Sequence, residues 1–202
     1  MSTLRTTNIT HESNSGTANV VLDSSGNATI NGNLTVTGSG INNQKTEGSW
    51  TSVGTSTHVD ISSLDSTDVI KYEILFSGVS QDGSTDWQFQ LGDAGGVENS
   101  GYYVVAGYDG SNEGTNDRSD AFRWYSTGTA SFTMDGKFTL TRMNGNKWWG
   151  EGRLVRTDGG STLYYMWGSK ELSAALTTIH ISASSNDTTD FDGGHFKLIT
   201  YK

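Results

Sequence analysis

The first aromatic residue in the chain is Trp50, and all six Trp, eight Tyr and seven Phe fall between it and Lys202. Large rings supply much of the apolar area that a small domain buries. A core can therefore form only in the later part of the chain. The 202 residues divide on this ground into a segment 1–40 that must find its order elsewhere, a linker 41–49 and a core-forming region 50–202.

Residues 1–40 carry a sparse alternation: Val20 and Leu22, Ala28 and Ile30, Leu34 and Val36, with turn residues at Ser24–Asn27 and Asn31–Asn33. The spacing predicts three short strands joined by tight turns. So few aliphatic side chains cannot offset the conformational entropy of ordering the whole segment. Two readings follow: a polar tail, or identical segments from several chains that intertwine and complete one another's core. The phased glycines Gly16, Gly26, Gly32 and Gly38 favour the second.

Beyond Trp50 the period of two becomes dense. Ile70, Tyr72, Ile74 and Phe76 share one face of a strand, as do Trp87, Phe89 and Leu91, and Tyr102, Val104 and Ala106. Asp135–Gly136 and Asn144–Gly145 interrupt the run from Ser131 to Val155, and such dipeptides supply the positive φ that two-residue hairpins demand. This predicts a meander of Ser131–Met134, Lys137–Met143 and Asn146–Val155, extended by Leu163–Trp167. Further strands are expected at Ile179–Ala183 and His195–Tyr201. Only Glu171–Leu176 could hold a short turn of helix. The fold class expected is all-β: a short intertwined β segment, then an antiparallel β-sandwich of the jelly-roll kind.

Composition excludes several functions. There is no cysteine, which removes disulfides, thiolate metal sites and thiol catalysis. A net charge of −9 at pH 7 repels phosphate backbones and anionic lipids and argues against nucleic-acid binding. The longest apolar runs, Tyr102–Ala106 and Leu163–Trp167, are too short to cross a bilayer, and MSTLRTTNIT lacks the apolar stretch of a secretion signal. No membrane insertion is expected. The N-x-T sequons at Asn8, Asn27, Asn33 and Asn186 are accordingly read as incidental.

The stretch Thr6–Gly38, TTNITHESNSGTANVVLDSSGNATINGNLTVTG, resembles the N-terminal segments of structural proteins from tailed bacteriophages, in particular fibres and appendages of marine and cyanobacterial phages. Ala18–Leu22 followed by Asp23–Asn27, and Ile30–Gly38, carry the likeness. Leu176–Tyr201 resembles the close of jelly-roll knobs on phage tail fibres, with Thr200 where a glycine is frequent. The resemblance implies a virion protein assembled in the host cytoplasm. It would be a homotrimer that docks onto other virion proteins through Val20, Leu22, Ile30, Leu34 and Val36 and displays a knob, with host-surface glycan as a further partner. A capsid decoration protein is the alternative within this class, and a free carbohydrate-binding module the alternative outside it.

Three aromatic pairs are candidates for glycan stacking or for a subunit interface: Trp124 and Tyr125, Trp148 and Trp149, Tyr164 and Tyr165. Neighbours on a strand point to opposite faces, so one member of each can fill the core while the other faces outward. The loop Asp109–Asp120, DGSNEGTNDRSD, places oxygen donors near calcium-loop spacing around Gly114; it reads equally as a solvated acidic loop. Asp190 with Asp192, and Asp117 with Asp120, are carboxylate pairs in turn-forming surroundings. No serine sits in a G-x-S-x-G elbow, and His58, His180 and His195 read as strand residues without metal spacing. No enzyme activity, cofactor or metal is expected.

Overall fold

The computed structural model describes residues 44–109, 119–124, 129–130, 132–183 and 189–202, together with Ser24 and the strand backbone of an N-terminal unit. The chain forms two compact units, Met1–Asn42 and Asn43–Lys202. In the first, β1 (Asn8–Ile9), β2 (Val20–Leu22) and β3 (Ala28–Ile30) form one antiparallel sheet in the order β1-β2-β3. Two of the strands expected from the sequence are present there. Leu34 and Val36 lie outside the described residues.

The second unit opens with β4 (Lys45–Glu47) and β5 (Thr51–Ser52), both paired with the last strand. The expected linker 41–49 thus contains an edge strand, because three backbone pairs to Ile199–Tyr201 tie it to the sheet. There follow β6 (His58–Ile61), β7 (Lys71–Gln81), β8 (Gln88–Asp93), β9 (Gly96–Val97), β10 (Tyr102–Tyr108) and β11 (Phe122–Arg123). The remainder is β12 (Met134–Asn144), β13 (Lys147–Arg156), β14 (Leu163–Glu171), β15 (Thr178–Ser182) and β16 (Phe191–Tyr201). All pairings are antiparallel, and no helix occurs among the described residues; Glu171 closes β14, and Leu172–Leu176 is not helical.

Two sheets result. The larger runs β10-β14-β13-β12-β7-β16-β4, and the smaller runs β11-β8-β15-β6. From β6 to β8 and from β11 to β16 the chain crosses repeatedly between them, so that β4-β16-β7-β12 and β6-β15-β8-β11 interlock. This is the strand order of a jelly roll, two Greek keys wound into one sandwich. The strands β13, β14 and β10 are additions that widen the larger sheet beyond β12.

Alternation explains which faces meet. Tyr72, Ile74 and Phe76 of β7, Phe89 and Leu91 of β8, and Tyr102, Val104 and Ala106 of β10 are buried in one core. Rings from the two sheets interleave: Phe89 lies 4.3 Å from Phe138 and 5.7 Å from Phe76, and Phe122 lies 5.2 Å from Tyr102, centroid to centroid. Ile70 departs from the expected apolar face. It precedes β7 and is exposed.

Two turn expectations resolve differently. Asn144 pairs with Lys147, so the β12–β13 hairpin turns on Gly145 and Asn146, and Gly145 has φ 57°. A glycine at the first central position with positive φ suits a two-residue hairpin. Asp135–Gly136, by contrast, lies inside β12, at a register shift against β7. A Cβ on Gly136 would come within 2.1 Å of the Arg153 carbonyl oxygen, so the glycine serves strand contact rather than a turn. The meander begins at Met134, and β16 begins at Phe191 rather than His195, its register shifting at Gly193.

Candidate functional site

The outer face of the widened sheet is where sequence and topology place unusual side chains. In β13 the inward positions are Trp148, Gly150, Gly152 and Leu154, and the outward ones are Trp149, Glu151, Arg153 and Val155. The parity is set by the opposite sheet. A Cβ on Gly150 would lie 2.7 Å from the Phe122 ring, and one on Gly152 would lie 2.3 Å from Cζ2 of Trp124. Both glycines give seats to rings of the core. In β14 the same logic turns Tyr164 and Met166 inward and Tyr165 and Trp167 outward.

Register then aligns the outward residues in rows across β12, β13, β14 and β10. One row reads Thr141, Trp149, Ser169, Tyr103; the next Thr139, Glu151, Trp167, Val105; the third Lys137, Arg153, Tyr165, Gly107. Tyr165 and Trp167 stack with centroids 5.3 Å apart and planes 12° from parallel. Tyr165 folds over Gly107, where any Cβ would lie 2.7 Å from its hydroxyl. Trp149 is 37% exposed, Trp167 43% and Tyr103 79%. A depression of about 830 Å³ runs between Trp149, Tyr165 and Trp167, bordered by Lys137, Thr139, Glu151, Arg153 and Leu163.

Charge divides this face in two. Across β7, β16 and β4, Lys71 sits over the Tyr201 ring at 3.7 Å, and Glu47 is held by both Lys197 and Lys45. Those hydrogen bonds, from Lys197 first and then Lys45, pull the Glu47 carboxyl down to about 2. At the boundary Lys137 pairs with Glu73 at 3.1 Å. On the aromatic half, Glu151 and Arg153 are exposed and make no side-chain hydrogen bond or ion pair among the described residues. Flat rings beside an unengaged carboxylate and guanidinium can stack on an apolar surface while bonding hydroxyl groups at its edge.

In each of the three aromatic pairs one member was expected to fill the core and the other to face outward or an interface, and the structure assigns the members it describes. Trp124, Trp148 and Tyr164 are buried core rings; they fall on the parity that faces the smaller sheet, and burial raises the Tyr164 hydroxyl above its ordinary value. Trp149 and Tyr165 face outward. Tyr125 lies outside the described residues. The sequence reading missed Trp167, Glu151 and Arg153, although each shares strand parity with Trp149 or Tyr165, and it missed Tyr103, which reaches the row of Trp149 only through Ser169.

The outer face of the smaller sheet is polar. Arg123, Gln88, Ser182 and His58 form one row, and Gln90, His180 and Asp60 the next. Arg123 donates to Gln88 at 2.6 Å and to Asp120 at 2.8 Å, and Gln88 donates to Ser182 at 2.9 Å. Of the possible calcium loop, Asp109 accepts from the Leu163 amide at 2.6 Å and Asp120 is engaged by Arg123; residues 110–118 lie outside the described residues. Asp192 accepts from the Ser80 hydroxyl, and the Asp190 amide donates to Asp82 at 2.9 Å. Among the described residues no helix is long and apolar enough to cross a membrane.

Fold and site together define a widened jelly-roll β-sandwich with an exposed aromatic sheet face. Compared with known proteins, the chain matches no family model, no curated protein and no solved structure.

Proposed function

We propose that the protein is a non-enzymatic adhesion protein of a virion, in which residues 1–40 assemble and dock the chain and the sandwich binds surface carbohydrate. The observation that carries the adhesive part is the stacked Tyr165–Trp167 pair beside Trp149, with Glu151 and Arg153 exposed between them. A sugar ring packs its apolar face on such a platform, and its hydroxyls meet the carboxylate and guanidinium. The resemblance of Thr6–Gly38 to phage fibre segments supports a homotrimeric fibre or appendage, with a capsid decoration protein as the alternative placement. Three knobs on one trimer would turn weak sugar contacts into firm attachment through effective concentration.

A glycan array probed with the full chain tests this reading. Binding to a defined group of glycans is expected, with Trp167→Ala weakening it by about 30-fold, the loss of a hot-spot ring worth ~2 kcal/mol. Absence of glycan binding, or binding untouched by that variant, would sink it.

One observation favours a second use of the same face. Tyr103, Val105 and Val155 extend the aromatic patch with exposed apolar area, as subunit interfaces do. Light scattering separates the two. A trimer near three times 21.7 kDa that dissociates when residues 1–42 are removed assigns assembly to the N-terminal unit. A trimer that survives that removal but dissociates on Tyr103→Ala or Trp167→Ala assigns it to the sandwich face.

A further inference from the structure

The edge of the smaller sheet holds a cluster that no spacing along the chain reveals. His58 and Asp60 are two residues apart on β6 and so share its outer face. The antiparallel register puts His180 of β15 directly opposite Asp60, and Ser182 opposite His58. The three side chains converge as a result. His180 Nδ1 lies 2.7 Å from one Asp60 oxygen, and His58 Nε2 lies 3.8 Å from the other. The two imidazoles are 4.8 Å apart between centroids. One donor atom from each residue falls within 4.8 Å of every other.

The ring of His58 is oriented from behind. Its Nδ1 lies 3.1 Å from the Thr57 hydroxyl, which leaves Nε2 facing Asp60. Such outer partners hold the rings of metal-binding histidines. Four-coordinate zinc takes nitrogen and oxygen donors at about 2.0–2.2 Å, which separates neighbouring donors by about 3.3 Å. The His180–Asp60 separation of 2.7 Å is shorter than this, and the donors of the trio stand up to 4.8 Å apart, so side-chain rotations that open the His180–Asp60 contact and draw the wider pair together complete the geometry. His180 is largely covered while Asp60 remains exposed, which gives an ion a fixed wall and an open path. A polar cleft of about 380 Å³, lined by Gln88, Gln90, Asn99, Asp120 and His180, adjoins the cluster and leaves room for water as a further ligand.

We propose that His58, Asp60 and His180 form a site for a divalent transition metal, with Zn²⁺ the ion that this donor set fits best. Two imidazoles and a carboxylate select borderline cations over Ca²⁺ and Mg²⁺, which prefer all-oxygen shells. The site clamps β6, an edge strand that among the described residues pairs with β15 alone, to its neighbour. It lies on the opposite sheet from the aromatic face and does not depend on carbohydrate binding.

Isothermal titration of the chelator-stripped full chain with ZnCl₂ tests the site. About one Zn²⁺ per chain is expected, with a rise in the melting temperature of the sandwich on loading and no displacement by Ca²⁺ or Mg²⁺. His58→Ala, at a half-buried position, and Asp60→Asn, at an exposed one, should each weaken uptake by about tenfold or more while leaving the far-ultraviolet spectrum unchanged. Co²⁺ in place of Zn²⁺ should give visible absorption that the same variants lose. No saturable Zn²⁺ uptake would overturn the proposal. So would uptake retained in full by both variants, which would place the ion on His11 or His195, or displacement of Zn²⁺ by Ca²⁺.

Discussion

Replacing Gly152 with alanine probes how closely the two sheets meet. Gly152 lies in β13 between Phe138 of β12 and Met166 of β14, paired on both sides. Its added methyl would lie 2.3 Å from Cζ2 and 3.0 Å from Cη2 of Trp124. Carbon atoms at optimal contact stand about 3.5–4.0 Å apart, so strand and ring must separate by more than about 1 Å. Neither can do so freely. The Trp124 amide is bonded to the Trp87 carbonyl at 3.0 Å, and the ring is packed against Phe89 at 5.0 Å and Phe138 at 5.9 Å. Overpacking costs ~1–3 kcal/mol, and a site boxed in on every side belongs at the upper end. With a urea slope of roughly 1–3 kcal/mol per molar, the unfolding midpoint should fall by about 1–3 M at unchanged slope. All six tryptophans lie at or beyond Trp50, so their fluorescence follows the sandwich alone. Gly160→Ala is the control: its methyl would also approach to 2.7 Å, but from Arg156 side-chain atoms near the surface, and it should stay within about 0.5 kcal/mol of the parent. In a Trp124→Phe background, which removes the overlapping ring, the Gly152→Ala penalty should shrink by about 1 kcal/mol or more. An unshifted midpoint, or strict additivity of the two changes, would refute the argument.

Three further outcomes follow from polar groups. The Tyr102 hydroxyl accepts from the Leu91 amide at 2.7 Å and donates to the Glu98 carbonyl at 2.9 Å, so it links the two sheets; Tyr102→Phe leaves that amide unpaired and should cost ~1–3 kcal/mol, seen as a lower urea midpoint and faster hydrogen exchange at Leu91. Burial pushes the Glu98 carboxyl upward, but the Lys170 ammonium and Ser173 outweigh it and hold the group below its ordinary value. Lys170 is buried, so Glu98→Ala strands its charge and should cost ~3 kcal/mol by the same titration. Glu47, lowered from 4.5 to about 2, stabilises the fold above its unfolded value, and that contribution is lost as pH falls from 4.5 to about 2. Melting temperatures across this interval should decline less steeply in Glu47→Gln than in the parent, and parallel curves would remove Glu47 from the acid response.

How much of this molecule was legible beforehand depends on what set each feature. The strands β7, β8 and β10 were readable because Tyr72, Phe89 and Tyr102 head runs in which every second residue is apolar, and burial of one face produces that pattern directly. Sheet order was suggested only by class, since β16 lies between β4 and β7 and β15 between β6 and β8 through pairings distant in sequence. His58 and His180 read as strand residues without metal spacing for the same reason: their proximity is a fact of register between β6 and β15. Asp135–Gly136 misled because glycine beside aspartate suits a turn, whereas here it answers to the Arg153 carbonyl across a ladder. The aromatic pairs are the most instructive case. That Trp148 and Trp149 point apart follows from the strand alone, but which one faces the core depends on the opposing sheet. The deciding mark was in fact local: Gly150 and Gly152 share parity with Trp148, and a strand leaves out side chains on the face where another sheet delivers large rings. Trp149 and Arg153 therefore had to face outward once Phe122 and Trp124 were assigned to the core.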